Sequence, residues 1–203
     1  MVNAHARLSL PEQPMLFLEF HGSPGDVDDQ AAQAQAAALD EGGEAFAWAR
    51  TPEERTRLWT ARHQAYFAAM QAYPGRRVIS TDTCVPISRL ADCLLESIAE
   101  AEASGVPYYV LGHVGDGNFH FGYLVRPGDA DDWRRAETLN HALVRRALAL
   151  GGTCSGEHGI GFHKIPFLRE EAGDVAIGAM RAIKQALDPL GIMNPGKIFE
   201  LDP

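Results

Sequence analysis

Histidines carry the densest chemistry in this chain. The segment Gly112-His-Val-Gly-Asp-Gly-Asn-Phe-His120 sets His113 and His120 on either side of a loop of Gly115, Asp116, Gly117 and Asn118. Glycines there let the backbone reverse and approach a ligand closely. Two imidazoles at the mouths of adjoining strands can aim at one ion. A divalent transition metal takes such nitrogens, usually with a carboxylate. Read alone, the spacing is more simply a tight hairpin with two structural histidines. A second segment, Gly152-Thr-Cys-Ser-Gly-Glu-His-Gly-Ile-Gly161, brackets an adjacent acid and histidine with flexible backbone. Glu157 could complete a His/His/Glu metal set, and His158 could serve as a base. By itself this segment also reads as a Gly-rich helix cap with solvated side chains; its coincidence with the first weakens that reading. The third feature is Arg62, within Trp59-Thr-Ala-Arg-His63. A guanidinium on a helix face can anchor a carboxylate through two parallel hydrogen bonds, although most such arginines are simply exposed. No GxGxxG follows a strand, and no GxxxxGK[ST], GxSxG or CxxC occurs. A dinucleotide cradle of any familiar kind is therefore not expected in this chain.

These residues need a scaffold, and the composition supports one. The chain has 203 residues, 46% hydrophobic and 22% charged, so a packed core is expected rather than disorder. A formal net charge of −9 argues against a nucleic-acid partner, since phosphate binding needs clustered Lys and Arg. Cys84, Cys93 and Cys154 form no motif and read as buried free thiols in a reducing compartment. No apolar run is long enough for a bilayer and no signal h-region precedes Leu10. A soluble, cytoplasmic protein is expected, with peripheral membrane association of a parent complex left open.

Met1–Pro14 reads as a tail or linker and residues 15–203 as one domain. Strands are predicted at Met15–His21, Glu44–Ala49, Arg77–Val85, Tyr108–Gly112 and Phe119–Val125. Helices are predicted over Pro24–Leu39, from Thr51-Pro-Glu-Glu54 towards Tyr73, and over Ser88–Ala103, Asp131–Leu150, Lys164–Ala172 and Val175–Leu187. Gly191–Pro203 reads as a loop. The order predicts an α+β fold: an antiparallel sheet with helices on one face, ferredoxin-like, with a C-terminal helical extension.

At this point the motifs resemble a known family. His113–His120, Ser155-Gly-Glu-His-Gly-Ile-Gly161 and Leu187-Asp-Pro-Leu-Gly-Ile-Met-Asn-Pro-Gly-Lys197, in that order, are similar to the C-terminal domain of FAD-linked oxidases. That family includes D-lactate dehydrogenases, the flavin subunit of glycolate oxidase and D-2-hydroxyglutarate dehydrogenase. Leu58–His63 and Ser80-Thr-Asp-Thr-Cys-Val-Pro-Ile-Ser-Arg-Leu90 most resemble the D-lactate dehydrogenase branch. The resemblance runs from about Met15 to Ile198. It implies a cap domain over a flavin held mainly by a separate N-terminal FAD-binding domain that these residues do not contain. It further implies a divalent metal, Zn or Mn, on His113, His120 and Glu157. His158 would be the base or substrate-orienting group, Arg62 would hold the substrate carboxylate, and Asn194 would lie near the flavin.

The implied reaction oxidises a 2-hydroxyacid to the 2-oxoacid. The metal would bind the hydroxyl and carboxylate oxygens, His158 would take the hydroxyl proton, and hydride would pass to FAD. The hydroxyglutarate branch carries a Lys where Ser80 stands and an Asn where Gly122 stands, both used for a second carboxylate. Their replacement here favours a small monocarboxylate such as D-lactate. A cytochrome, a quinone or an electron-transfer flavoprotein would each fit as acceptor. The chain alone is expected to be inactive, and an apolar flavin-facing surface could make it dimerise. Two other classes remain as alternatives: a metal-dependent hydrolase using a His/His/Glu-bound water, and a non-catalytic binding module derived from the oxidase domain.

Overall fold

Two helix starts are written into the sequence as a hydroxyl residue followed by proline. Ser23 and Thr51 each accept the amide of the third helical residue, Asp26 and Glu54, whose carboxylates return to the cap backbone. Such reciprocal caps satisfy amides that a helix start leaves without partners. The computed structural model describes residues 1–6, 8–44 and 46–199, and the chain divides into two compact units, Met1–Ala72 and Tyr73–Pro203.

The first unit is helical: α1 (Val2–Ala6), α2 (Pro24–Asp40), α3 (Pro52–His63) and α4 (Ala65–Ala72). α1 packs against α3 and α4. Ala61, Ala65, Ala68 and Ala69 are buried, small side chains that let helices approach. The structure differs from the sequence reading here. A short helix lies in the stretch read as a tail, and the helix expected to reach Tyr73 is interrupted at Gln64. Residues 15–21 form no strand, and neither do the described residues of 44–49; Ala45 lies outside the described set. A strand is completed by a neighbour's hydrogen bonds, and the described residues of this unit contain no ladder for either segment to join.

The second unit holds the sheet. β1 (Arg77–Ser80) and β2 (Thr83–Cys84) run along one side of β4 (Asn118–Val125), and β3 (Tyr108–His113) runs along the other, all antiparallel. The pairings Ser80–Gly122 and Thr83–Phe119 keep one register across the gap between β1 and β2. The gap, Thr81-Asp82, therefore falls opposite Phe121 and His120. α5 (Leu90–Ser104) joins β2 to β3, and α6 (Ala130–Ala149) follows β4.

Side chains alternate along β4. Phe119, Phe121, Tyr123 and Val125 are buried on the face covered by α5 and α6, against Cys93, Ala101, Leu139, Leu143 and Ala147. Burying each large side chain contributes roughly 1.5–3 kcal/mol, so this layer dominates the stability of the unit. The opposite face carries His120 and Gly122 on β4, Tyr109, Leu111 and His113 on β3, and Ser80 on β1. Cys93 and Cys154 are buried in the packing, as expected of apolar thiols. α7 (Ile165–Leu187) packs on α6 through Phe167, Val144 and Cys154. It is kinked at Gly173 (φ 76°, ψ 166°), which explains why the sequence reads as two helices. The fold is α+β with an antiparallel sheet and helices on one face, as the sequence predicts.

Candidate metal centre

The hairpin and the Gly-rich loop meet on the sheet face opposite α5 and α6. His113 ends β3, and His120 lies on the facing strand with ring centroids 6.0 Å apart. The Glu157 carboxylate enters between them. Its Oε1 is 3.1 Å from His120 Nε2, 3.7 Å from His113 Nε2 and 3.4 Å from His158 Nε2. Ligands on a tetrahedral zinc with bonds of about 2.0–2.2 Å lie about 3.3–3.6 Å from one another, so the Glu157 oxygen stands near ligand spacing from both imidazoles.

The hydrogen bonds decide what His120 can offer. Its Nδ1 is 3.1 Å from the Thr81 carbonyl, which can only accept, so Nδ1 carries the proton. In the neutral ring, Nε2 then presents a lone pair to the Glu157 oxygen. Two acceptors at that separation call for a proton or a cation between them. A backbone carbonyl that fixes the tautomer from behind is a usual support for a metal histidine. Thr81 keeps its N–H on the Phe121 carbonyl at 2.9 Å, but Phe121 N–H donates to the Thr81 side-chain Oγ1 at 2.8 Å, which leaves the Thr81 carbonyl for His120.

Asp82 is the residue that motif reading missed. It is 3% exposed. Its carboxylate accepts from Asn118 Nδ2 (2.9 Å), Ser155 Oγ (3.0 Å), the Glu157 amide (3.2 Å), the His158 amide (3.0 Å) and Lys164 Nζ (3.0 Å). Burial alone would push the carboxyl up. The His158 amide, the Lys164 ammonium and the Asn118 amide outweigh it and hold the group well below the usual carboxylate range. Asp82, His120 and His158 also lie close enough to share an ion. The His113–His120–Glu157 set is the better ligand set, because the lone pairs of Asp82 are already taken and Lys164 neutralises its charge. The sequence signal for Asp82 was faint: it lies 82 positions from Lys164, and nothing local marks the pair.

The loop reaches Asp82 only because position 156 is glycine. A Cβ there would sit 1.8 Å from Asn118 Nδ2 and 2.9 Å from Asp82 Oδ1. Beside the centre, Gly122 is buried under the Tyr109 ring; a Cβ would lie 2.2 Å from Tyr109 Cζ. Ser80 is the other cross-strand neighbour of Gly122.

Of the residues singled out from sequence, His113, His120, Glu157 and His158 converge. Arg62 belongs to the first unit, half-buried in the last turn of α3. Asn194 is exposed in the tail, in a left-handed conformation (φ 46°) that Asn tolerates better than most residues. That tail returns to the Gly-rich loop: Ile198 N–H donates to the Gly161 carbonyl at 2.9 Å, and Lys197 Nζ sits 5.1 Å from the Phe162 ring centre.

Residues 1–198 match the family of FAD linked oxidases, C-terminal domain, and the chain belongs to that family. It is 48% identical over 204 residues to a probable mitochondrial D-lactate dehydrogenase of Danio rerio, covering 99% of this chain and 41% of that protein. It is 40% identical over 191 residues to the mitochondrial D-lactate dehydrogenase [cytochrome] of Arabidopsis thaliana, covering 94% and 34%. Against the glycolate oxidase subunit GlcD of Bacillus subtilis, identity is 31% over 205 residues, covering 100% and 43%. The chain thus spans about two fifths of the length of these relatives. The 4-ethylphenol oxidase of Gulosibacter chungangensis, solved with isoeugenol, superposes with a TM-score of 0.64 at 18% identity, over 89% of this chain and 38% of that one. That likeness concerns the fold alone. Among the described residues, no helix is long and apolar enough to cross a membrane.

Proposed function

We propose that the chain is the substrate- and metal-binding portion of a flavin-dependent D-2-hydroxyacid dehydrogenase acting on D-lactate or a similarly small monocarboxylate. The observation that carries this is the His120 geometry: Nδ1–H committed to the Thr81 carbonyl and Nε2 facing Glu157 Oε1 at 3.1 Å. With His113 it makes a two-imidazole, one-carboxylate set, a donor chemistry suited to zinc or manganese. The family description names FAD, yet these residues include no dinucleotide cradle. We assign the flavin to a partner domain outside these 203 residues, with Asn194 as a candidate contact.

When bound, the cation would polarise the substrate's oxygens and the flavin would accept two electrons. The rest falls to side chains. His158, beside the metal set on the glycine-bracketed loop, would receive the hydroxyl proton. Arg62 would hold the substrate carboxylate through its planar fork. The Tyr109 ring over Gly122, with the short Ser80 next to it, offers no cation or amide for a second carboxylate. That supports a short substrate over a dicarboxylate.

Metal content of the purified chain, by plasma mass spectrometry, tests the proposal with His113→Ala and Glu157→Ala alongside. Near-stoichiometric zinc or manganese, lost in both variants, is expected. Reconstitution with a flavin-bearing domain should then give turnover of D-lactate in preference to D-2-hydroxyglutarate. No metal after re-addition, or turnover of esters or phosphates without flavin, would overturn it.

A further inference from the structure

We infer that Asp82 is a positioning residue for the metal centre: its buried carboxylate clasps the Ser155–His158 loop to β4 and sets where Glu157 stands. This rests on the reading of His113, His120 and Glu157 as a metal set. The groups that donate to Asp82 come from three separate parts of the chain: Asn118 on β4, Ser155, Glu157 and His158 on the loop, and Lys164 just before α7. Two of the five are the backbone amides of Glu157 and His158, one bond from the Cα atoms that carry the proposed ligand and base. A displacement of those amides moves both functional side chains together.

The chemistry of the site favours positioning over simple stabilisation. A buried ion pair stabilises a fold poorly, because desolvating both partners offsets their attraction. Lys164 Nζ also donates to the Asp82 backbone carbonyl at 2.8 Å, which fixes the carboxylate as well as neutralising it. A carboxylate accepts on about four lone-pair sites and donates nothing when ionised. An amide would turn one end into a donor pointed at other donors, so Asp82→Asn should release part of the loop while keeping the volume.

The test is metal affinity of the full chain, with zinc as the probe, in competition with a chromophoric chelator, plus the visible spectrum of the cobalt-loaded protein. Asp132→Asn is the control. Asp132 is another buried acid (3% exposed), clamped by Arg126 and Arg135 at the start of α6. Asp82→Asn is expected to weaken zinc binding about 10–100-fold, the usual cost of removing support behind a metal ligand, and to alter the cobalt spectrum, at temperatures where circular dichroism shows it folded. Asp132→Asn should lower the melting temperature and leave zinc affinity unchanged. Unchanged affinity in Asp82→Asn, or an equal loss in Asp132→Asn, overturns the inference while the metal set stands. Failure of the unsubstituted chain to bind zinc overturns the metal reading and this inference with it. Should Asp82→Asn not fold, Ser155→Ala removes one donor from the clasp; a loss of about fivefold supports the inference and no loss overturns it.

Discussion

Asp188 ends α7, its backbone N–H donating to the Lys184 carbonyl while its side chain ties the following turn to the helix. Its carboxylate accepts from the Met193 amide at 2.9 Å and the Ile192 amide at 3.1 Å, and it pairs with Lys184 one helical turn back. The Lys184 ammonium, then the Met193 amide, hold its carboxyl below the usual range, against the opposing effect of burial. A carboxyl depressed by folding stabilises the protein fully above its unfolded value of about 3.9 and loses that contribution as pH falls through the folded value. Asp188→Asn should therefore lower the melting temperature near neutral pH and flatten its fall on the acid side, measured by calorimetry from pH 7 to 3. A variant curve parallel to wild type would refute this. At this scale the sequence was readable where residue type and close spacing coincide. His113 with His120 and Glu157 with His158 announce themselves within two short segments, and the structure brings all four together. Asp82 and Lys164 do not, because an acid and a lysine far apart along the chain have no local signature.

At the scale of elements, the best-read pieces were those with local causes. The capped starts of α2 and α3 and the alternating β4 follow from rules acting within a few residues. The misread pieces, 15–21 and the described residues of 44–49, looked like strands by composition, but among the described residues no ladder stands beside them. The pairing of Tyr109 with Gly122 was equally hidden, since it depends on the β3–β4 register. It makes a sharp prediction: Gly122→Ala should destabilise the protein by about 1–3 kcal/mol through overpacking against the Tyr109 ring. Adding Tyr109→Leu should recover much of the loss, giving a coupling of about 0.5–3 kcal/mol in a double-mutant cycle by urea denaturation. Additive effects would mean that the ring is not what fills the space.

At the scale of the whole molecule, both buried clusters of the second unit draw only on residues after Tyr73. The aromatic layer of β4 and the Val144–Cys154–Phe167 cluster need no residue of the first unit. So too with the His113, His120, Glu157 and Asp82 set. A fragment beginning at Tyr73 is therefore expected to melt cooperatively and to take up zinc as the full chain does. Calorimetry and metal analysis check this, and a broad, uncooperative melt would count against it. Such a fragment lacks Arg62 together with the rest of the first unit, so its proposed part is isolated instead by Arg62→Ala in the full chain with metal uptake intact.

The alternation along β4 bears on how this protein can change over generations. Asn118, His120 and Gly122 face the candidate centre, and Phe119, Phe121, Tyr123 and Val125 serve the core. Deleting or duplicating one residue at the start of that strand would swing His120 into the aromatic layer and turn Phe121 outward, breaking the His/His/Glu grouping and the packing at once. Point substitutions at Gly122 or Ser80 leave the parity intact. Descendants of this sequence can therefore vary side chains on one face one at a time, while changes of strand length are confined to turns such as 126–129.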